Sequence, residues 1–429
     1  MKILILTPWY APFIHPRAHR WTVLAEHWAG EGHEVQVLTA RNRNHPVEET
    51  INGVRICRCG YDSLKEWVYN RFSIRQARGR VGNPPRAAGF GERLLNAVYR
   101  NIWKNLFFPD DACLWYFPAK RQLGAMLQKE NYDVLISVSL PFTTHLIGYT
   151  VLKNMPDRPR WIADIGDPFA FQALAPNNRL FYGKLNRWWE QRILQAADAC
   201  TVTTMATLQL YRKKLGATAV RNMRVIPPLL KTSFLLQKEI KRTTRRLKIG
   251  YFGALYAPTR TPDACLAWLS GLKSLAPDWY ACLEVHFYGE IFPEFYDQLK
   301  AESAIHLHGL RSREECWQAM QEMDILLNIG NTTDFQLPSK AVEYLAAGKP
   351  VLHFSYVSGD PFSVFFAQIL PDSHFFILNT SGNTFDDRRL SASLQWLQEE
   401  KTGIAPEMLA PHLQPYRVES IARSYEALF

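Results

Sequence analysis

Short buried-strand patterns alternate with amphipathic helical ones through this chain, and they do so twice. Lys2 to Thr7 reads as a buried strand, followed by a loop through Pro8, Pro12 and Pro16. From about Ala18 to Ala29, Trp21, Leu24, Ala25 and Trp28 recur on one helical face. Gly30 and Gly32 end that pattern and Glu34 to Thr39 resumes a strand. Strand–helix–strand of this length implies parallel strands joined by a right-handed crossover. Further strands are predicted at Val134 to Val138, Arg160 to Ala163 and Ala199 to Thr203.

The second half repeats the scheme. Leu247 to Phe252 is a predicted strand, and a helix starts near Pro262 and Asp263. Strands follow at Leu283 to Tyr288, Ile305 to His308, Ile325 to Asn328 and Pro350 to Phe354. A chain of 429 residues exceeds the size at which one core keeps growing, so two domains are expected. The predicted fold class is α/β, with two Rossmann-like doubly wound domains facing across a cleft. Leu229 to Arg246 carries Lys238, Lys241, Arg242, Arg245 and Arg246 without a clear period and reads as a linker. The expected organisation is a domain over 1–228, a linker over 229–246 and a second domain over 247–411. A C-terminal helix over 412–429 is expected to pack back on the first domain.

The segment from Gln336 to Leu352 reads as a loop, a capped helix and a buried strand. Ser339 is the expected N-cap, Gly348 the stop, and Pro350 bars continuation. Free amides at such a helix start suit a phosphate, and Glu343, one turn on, suits the vicinal diol of a ribose. The plain alternative is an ordinary core helix with a solvated Glu343. Neither half carries G-x-G-x-x-G, which counts against a nicotinamide enzyme. Its nearest stand-in is Gly250 to Gly253, where Gly253 would let a phosphate approach the backbone.

Composition narrows the setting. No apolar run approaches the ~18–20 residues that span a bilayer. The opening apolar run, Ile3 to Leu6, is too short for a signal peptide, so a cytoplasmic location is expected. Seven scattered cysteines, with only Cys57 and Cys59 close together, read as reduced thiols, and no metal site is expected. The formal charge is +10. Between Arg71 and Lys104 eight basic residues face one acidic, Glu92, and Leu94, Leu95, Val98, Tyr99, Ile102 and Trp103 recur at helical spacing. Region 71–106 is therefore read as a contact for an anionic membrane surface, against the alternative of a helix packed on its own domain. No nucleic-acid-binding signature is present, and nucleic acid is not an expected partner.

Several segments, in order, resemble family 4 glycosyltransferases of the GT-B fold. Leu24 to Val35 is similar to the first domain's "LA–GHEV" unit, and Ile226-Pro227-Pro228 sits where relatives close that domain. Gly250 to Gly253 resembles the start of the donor domain, and Glu343 to Val351 is the strongest match. Pro109-Asp110, Trp115 and Asp164 to Pro168 resemble a subgroup that builds bacterial surface polysaccharides. The family usually has two glutamates eight positions apart. Glu343 fits the second, but the place of the first holds Phe335, between Asp334 and Gln336.

The resemblance implies a retaining transferase. It would move a sugar from a nucleotide-diphosphate sugar to a glycan or lipid-linked acceptor, with no cofactor and no obligatory metal. Gly253, Arg260, Gln336, Ser339, Lys340 and Glu343 are the expected donor-binding residues. Asp167 and His145 are the candidate catalytic residues, as base or orienter of the acceptor hydroxyl. Arg17, His19 and Arg20 are expected on the acceptor side. Arg260 and Lys340 have surface alternatives, and His145 a structural one. The rival functions are a nucleotide-sugar epimerase of the same architecture and a catalytically weak sugar-nucleotide-binding protein.

Overall fold

A computed structural model describes residues 1–13, 15–41, 45–62, 104–171, 178–230, 246–257, 259–380, 384–399, 401 and 403–429. Nearly all of the basic stretch 71–106 and of the linker 229–246 lies outside the described residues. The rest forms two units, one from residues 1–62, 104–229 and 418–429, the other from residues 230 and 246–417.

The first unit holds eight strands: β1 (Lys2–Leu6), β2 (Glu34–Thr39), β3 (Glu48–Ile51), β4 (Val54–Arg58), β5 (Val134–Ser139), β6 (Arg160–Ile165), β7 (Ala199–Val202) and β8 (Met223–Val225). Their order is β3-β4-β2-β1-β5-β6-β7-β8, parallel throughout except for the β3–β4 hairpin. That hairpin turns at Asn52-Gly53, both with positive φ, as a tight two-residue turn requires. Ile3, Ile5, Val35 and Val37 point to one side of the sheet, with Trp21, Leu24 and Trp28 of the helix Pro16–Gly30. Leu4, Leu6, Leu38 and Leu135 point to the other, where the helix Tyr116–Lys129 packs.

The C-terminal helix Val418–Glu426 belongs to this first unit. Val418, Ile421, Ala422 and Tyr425 are its buried face. Tyr425 meets Trp21 and Trp28 edge-on, at 5.2 and 6.0 Å between ring centres. The Trp28 indole donates to Glu426 Oε1 at 2.9 Å.

The second unit holds β9 (Leu247–Phe252), β10 (Leu283–Tyr288), β11 (Ile305–Gly309), β12 (Ile325–Ile329), β13 (Val351–Ser355) and β14 (Phe375–Asn379). All pair in parallel, in the order β11-β10-β9-β12-β13-β14. This is the doubly wound order that reverses direction between its first and fourth strands, here between β9 and β12. Ligands in such sheets bind beyond the carboxyl ends at that reversal. In the first unit the matching reversal lies between β1 and β5. The α/β class with two parallel-sheet domains is thus as the alternation predicts. All seven cysteines are free. Among the described residues no helix is long and apolar enough to cross a membrane.

Candidate active site

In the second unit the site begins where β9 and β12 part. Beyond Tyr251 opposite Leu327 the two strands no longer pair, and Tyr344 fills the gap. Its hydroxyl accepts the Phe252 amide proton at 3.1 Å and donates to the Leu327 carbonyl at 2.9 Å. This buried phenol fixes the helix Lys340–Ala347 against both strand ends, and with it the neighbouring Glu343. At the other end Gly348 takes the left-handed conformation at φ 64°, where a Cβ would lie 2.9 Å from the Ile404 carbonyl oxygen.

Glu343 is buried, and its Oε1 accepts from the Arg313 guanidinium. Arg313 opens the helix Arg313–Glu322, whose start is fixed by a capping box. There Ser312 Oγ accepts the Glu315 amide, and Glu315 Oε2 accepts the Ser312 amide. Arg313 stands thirty positions from Glu343, and sequence reading missed it; no motif marks it. Lys340, at the first helical position, is partly covered. Loss of water from its ammonium lowers its pKa to about 8, although Glu343 pulls the other way. Arg260 is positioned by a backbone bridge to Tyr256 and donates to Asn331 Oδ1 at 2.6 Å, in the loop after β12. Gln336 in the same loop accepts from Thr333 Oγ1 at 3.2 Å. Phe335, in place of the first glutamate, is buried.

One donor-side expectation changes. Ser339 occupies the N-cap position, but it has helical backbone angles and its side chain makes no capping bond. The Gly253 amide donates to the Tyr288 carbonyl at 2.8 Å, so it is not available to a phosphate. What Gly253 contributes is the absence of a side chain, since a Cβ there would lie 2.6 Å from the Tyr251 hydroxyl.

In the first unit the centre is Asp164, near the end of β6. Its Oδ2 accepts from Arg17 Nη1 at 2.9 Å, and its Oδ1 accepts from Thr201 Oγ1 at 2.6 Å and Tyr425 Oη at 2.7 Å. Burial pushes this carboxyl upward, but Arg17, Arg20 and the two hydroxyls outweigh it and hold the pKa below the ordinary value. Arg17 follows the N-cap His15, whose Nδ1 accepts the Arg17 amide. The guanidinium lies against Gly166, where a Cβ would come within 1.2 Å of Arg17 Nη2. His19 lies on the first turn of the same helix and is partly exposed.

Arg20 does not face an acceptor. It is buried and donates to the Pro227 and Ile226 carbonyls at 2.6 and 3.3 Å and to the Tyr425 hydroxyl at 3.2 Å. Five guanidinium donors without water need several acceptors, and two free carbonyls past β8 supply them. Arg20 is therefore a strut of the first unit, which corrects its assignment to the acceptor side.

His145 is likewise no surface base. It is fully buried on the helix Thr143–Leu152, with Nδ1 2.8 Å from Ser137 Oγ, and Ser137 also accepts from the Trp161 indole at 2.8 Å. Burial lowers its pKa to about 3, so the ring is neutral, and the structural alternative holds. Asp167 is partly exposed in the loop after β6. That loop is clamped by Glu190 from the helix Arg179–Ala196, whose carboxylate accepts the Phe169 and Ala170 amides at 2.6 and 2.7 Å and the Tyr211 hydroxyl at 2.5 Å. Asp110 does similar work at the helix Thr143–Leu152. It accepts the Thr143 amide and hydroxyl, and burial raises its pKa to about 6.

Comparison with known proteins places this geometry. Residues 18–228 match the family model of the glycosyl transferase 4-like domain. No curated protein matches the sequence. Among solved structures, α,α-trehalose 6-phosphate synthase of Burkholderia multivorans is similar at a TM-score of 0.65 and 10% identity, over 100% of this chain and 98% of its own. HepE of Anabaena, in complex with UDP-glucose, is similar at 0.57 and 12%, over 100% and 99%. WaaG, a glycosyltransferase involved in lipopolysaccharide biosynthesis, is similar at 0.54 and 13%, over 99% and 94%. Residues 18–228 thus form a glycosyl transferase 4-like domain, and the two parallel sheets share the GT-B fold of these glycosyltransferases.

Proposed function

We propose that this transferase takes a sugar from a UDP-sugar, with retention of anomeric configuration, and passes it to a glycan or lipid-linked acceptor of bacterial surface polysaccharide. The reaction would run on the cytoplasmic side, without an obligatory metal. One observation carries the reading. At the carboxyl end of the second sheet, the first turn of the helix Lys340–Ala347 offers Lys340 and the buried, Arg313-paired Glu343 beside the reversal of strand order. A cation at a helix start suits a diphosphate, and a fixed carboxylate suits a ribose diol. The UDP-glucose bound by HepE and the UDP-2-fluoro glucose bound by the Escherichia coli trehalose-6-phosphate protein support the choice of nucleotide. WaaG supports the polysaccharide context.

In such a transfer the bond from the anomeric carbon to the diphosphate breaks, and negative charge grows on the leaving phosphate. Lys340, Arg260 and the amides at the helix start would stabilise that charge, as fixed cations and dipoles do without reorganising. The acceptor oxygen attacks the same carbon and releases its proton. Asp167, held in place by the Glu190 clamp, is the proposed carboxylate for orienting that hydroxyl, whereas Asp164 is fully engaged and holds Arg17. Gln336 is next to the Phe335 that replaces the usual carboxylate, and its amide would select the sugar's hydroxyl pattern by hydrogen bonding.

A thermal-shift panel of UDP, GDP, CMP and their sugars tests the reading. UDP and one UDP-sugar should raise the melting temperature by several degrees. If none of the nucleotides stabilises the chain, the donor site is wrongly assigned.

A further inference from the structure

We propose that the outer face of the helix Arg179–Ala196 docks the protein on an anionic lipid bilayer. None of the residues invoked belongs to the proposed donor or acceptor groups, so the proposal does not depend on the transferase reading. The helix's inner face is ordinary: Asn186, Glu190, Ile193 and Leu194 are buried on the first unit. A surface helix normally turns charged residues outward opposite such a face. Here Phe181, Leu185 and Trp188, at spacings of four and three, form the outward stripe, with exposures of 63%, 40% and 54%. Leu180 beside them is 87% exposed. The Trp188 ring stands edge-on to Trp189 at 4.8 Å, which steadies it while leaving it open to solvent.

The charges decide what covers this stripe. Arg179, Lys184, Arg187 and Arg192 are exposed around it, while the helix's one acidic residue, Glu190, is buried on the opposite side and committed to the Phe169 and Ala170 amides. A protein partner generally meets a rim of mixed sign. The charged side chains that this helix exposes beside Trp, Phe and Leu are all cations, which fits lipid head groups carrying negative charge, with the rings at the level of the acyl boundary.

Flotation of the full chain with vesicles tests this. Phosphatidylcholine containing phosphatidylglycerol should carry the protein upward at low salt, and phosphatidylcholine alone, or half-molar salt, should carry much less. The triple variant Phe181→Ser, Leu185→Ser, Trp188→Ser and the charge variant Arg179→Glu, Lys184→Glu, Arg187→Glu should each lower the floated fraction by about tenfold or more. These side chains point outward, so both variants should keep the UDP-induced melting shift of the parent. Should the triple variant melt early, the charge variant carries the same test. Loss of the UDP shift in the parent chain would bear on the donor site alone. Flotation of both variants at the parent's level overturns the proposal, as does a parent chain that stays unbound. A concentration-dependent dimer abolished by the triple variant would overturn it too, by showing that a second copy covers the face.

Discussion

Tyr425 donates its hydroxyl to Asp164 Oδ1 over 2.7 Å, although the two residues stand 261 positions apart in the chain. The same oxygen of Tyr425 accepts from Arg20 Nη2, so one phenol joins the carboxylate beneath Arg17 to the strut that holds the exit of β8. The C-terminal helix thereby bears on the Asp164 cluster of the first unit, well beyond the residues matched by the family model.

Tyr425→Phe should destabilise the first unit by about 1–3 kcal/mol, because Asp164 loses one donor and Arg20 one acceptor, both out of reach of water. Asp164→Asn should cost more, about 3–5 kcal/mol, since it leaves Arg17 and Arg20 without their buried counter-charge. Urea unfolding followed by tryptophan fluorescence ranks the two. Equal, negligible losses would show that this network does not hold the unit together.

Gly166→Ala should act on Arg17 rather than on the backbone. The added Cβ would lie 1.2 Å from Arg17 Nη2, so the guanidinium must leave its seat and the contact with Asp164. Turnover with acceptor should fall, while the UDP-induced melting shift expected from the proposed donor site of the second unit should stay at the parent value. A variant with full turnover would remove Arg17 from the acceptor side.

The sheets were largely legible because both are parallel and buried, so their strands read as apolar runs between helical periods. That alternation implies parallel crossovers, whereas the strand orders are visible only in the fold. Three kinds of element escaped. The hairpin of β3 and β4 has an exposed outer strand with little apolar content, although Asn52-Gly53 was its signal. At three residues β8 is too short to show a pattern, and β14 follows a proline-marked turn in a run of aromatics. At the site, position in a loop or first turn was readable but side-chain direction was not. Arg17 and Arg20 are one helical turn apart, yet one lies against Gly166 and the other turns to the Pro227 carbonyl. Arg313 was missed because its partner lies on another helix, and only the fold brings them together.

The Glu190 clamp should give the first unit a distinctive pH dependence. Burial raises this carboxyl from 4.5 to about 7 in the folded chain. Between those values the folded state holds a proton that the unfolded state has released. The stability contributed by this group is therefore whole below about pH 4.5 and is lost as pH climbs to about 7. The full effect is of order 3 kcal/mol. Glu190→Gln should flatten this slope and be less stable at pH 5, since an amide cannot accept both the Phe169 and the Ala170 N–H. Melting at pH 5 and pH 7.5 decides; an unchanged slope would exclude Glu190 as its source.

Lys340 and Glu343 make separable predictions about the nucleotide. With its pKa at about 8, the Lys340 ammonium is charged at pH 7 and mostly neutral at pH 9, so UDP affinity should fall by about tenfold across that range. Lys340→Arg should remove the decline, because a guanidinium keeps its charge throughout. Glu343→Ala removes the proposed ribose ligand and also a negative charge near the diphosphate, and these effects have opposite signs for different ligands. UDP binding should weaken by about 10–100-fold through the lost charged hydrogen bonds, whereas pyrophosphate, which has no ribose, should bind as well as before or better, since the freed Arg313 and Lys340 face it without Glu343. Titration calorimetry with the two ligands separates the roles. Equal weakening of UDP and pyrophosphate would mean that Glu343 holds the helix start in place and does not touch the ribose.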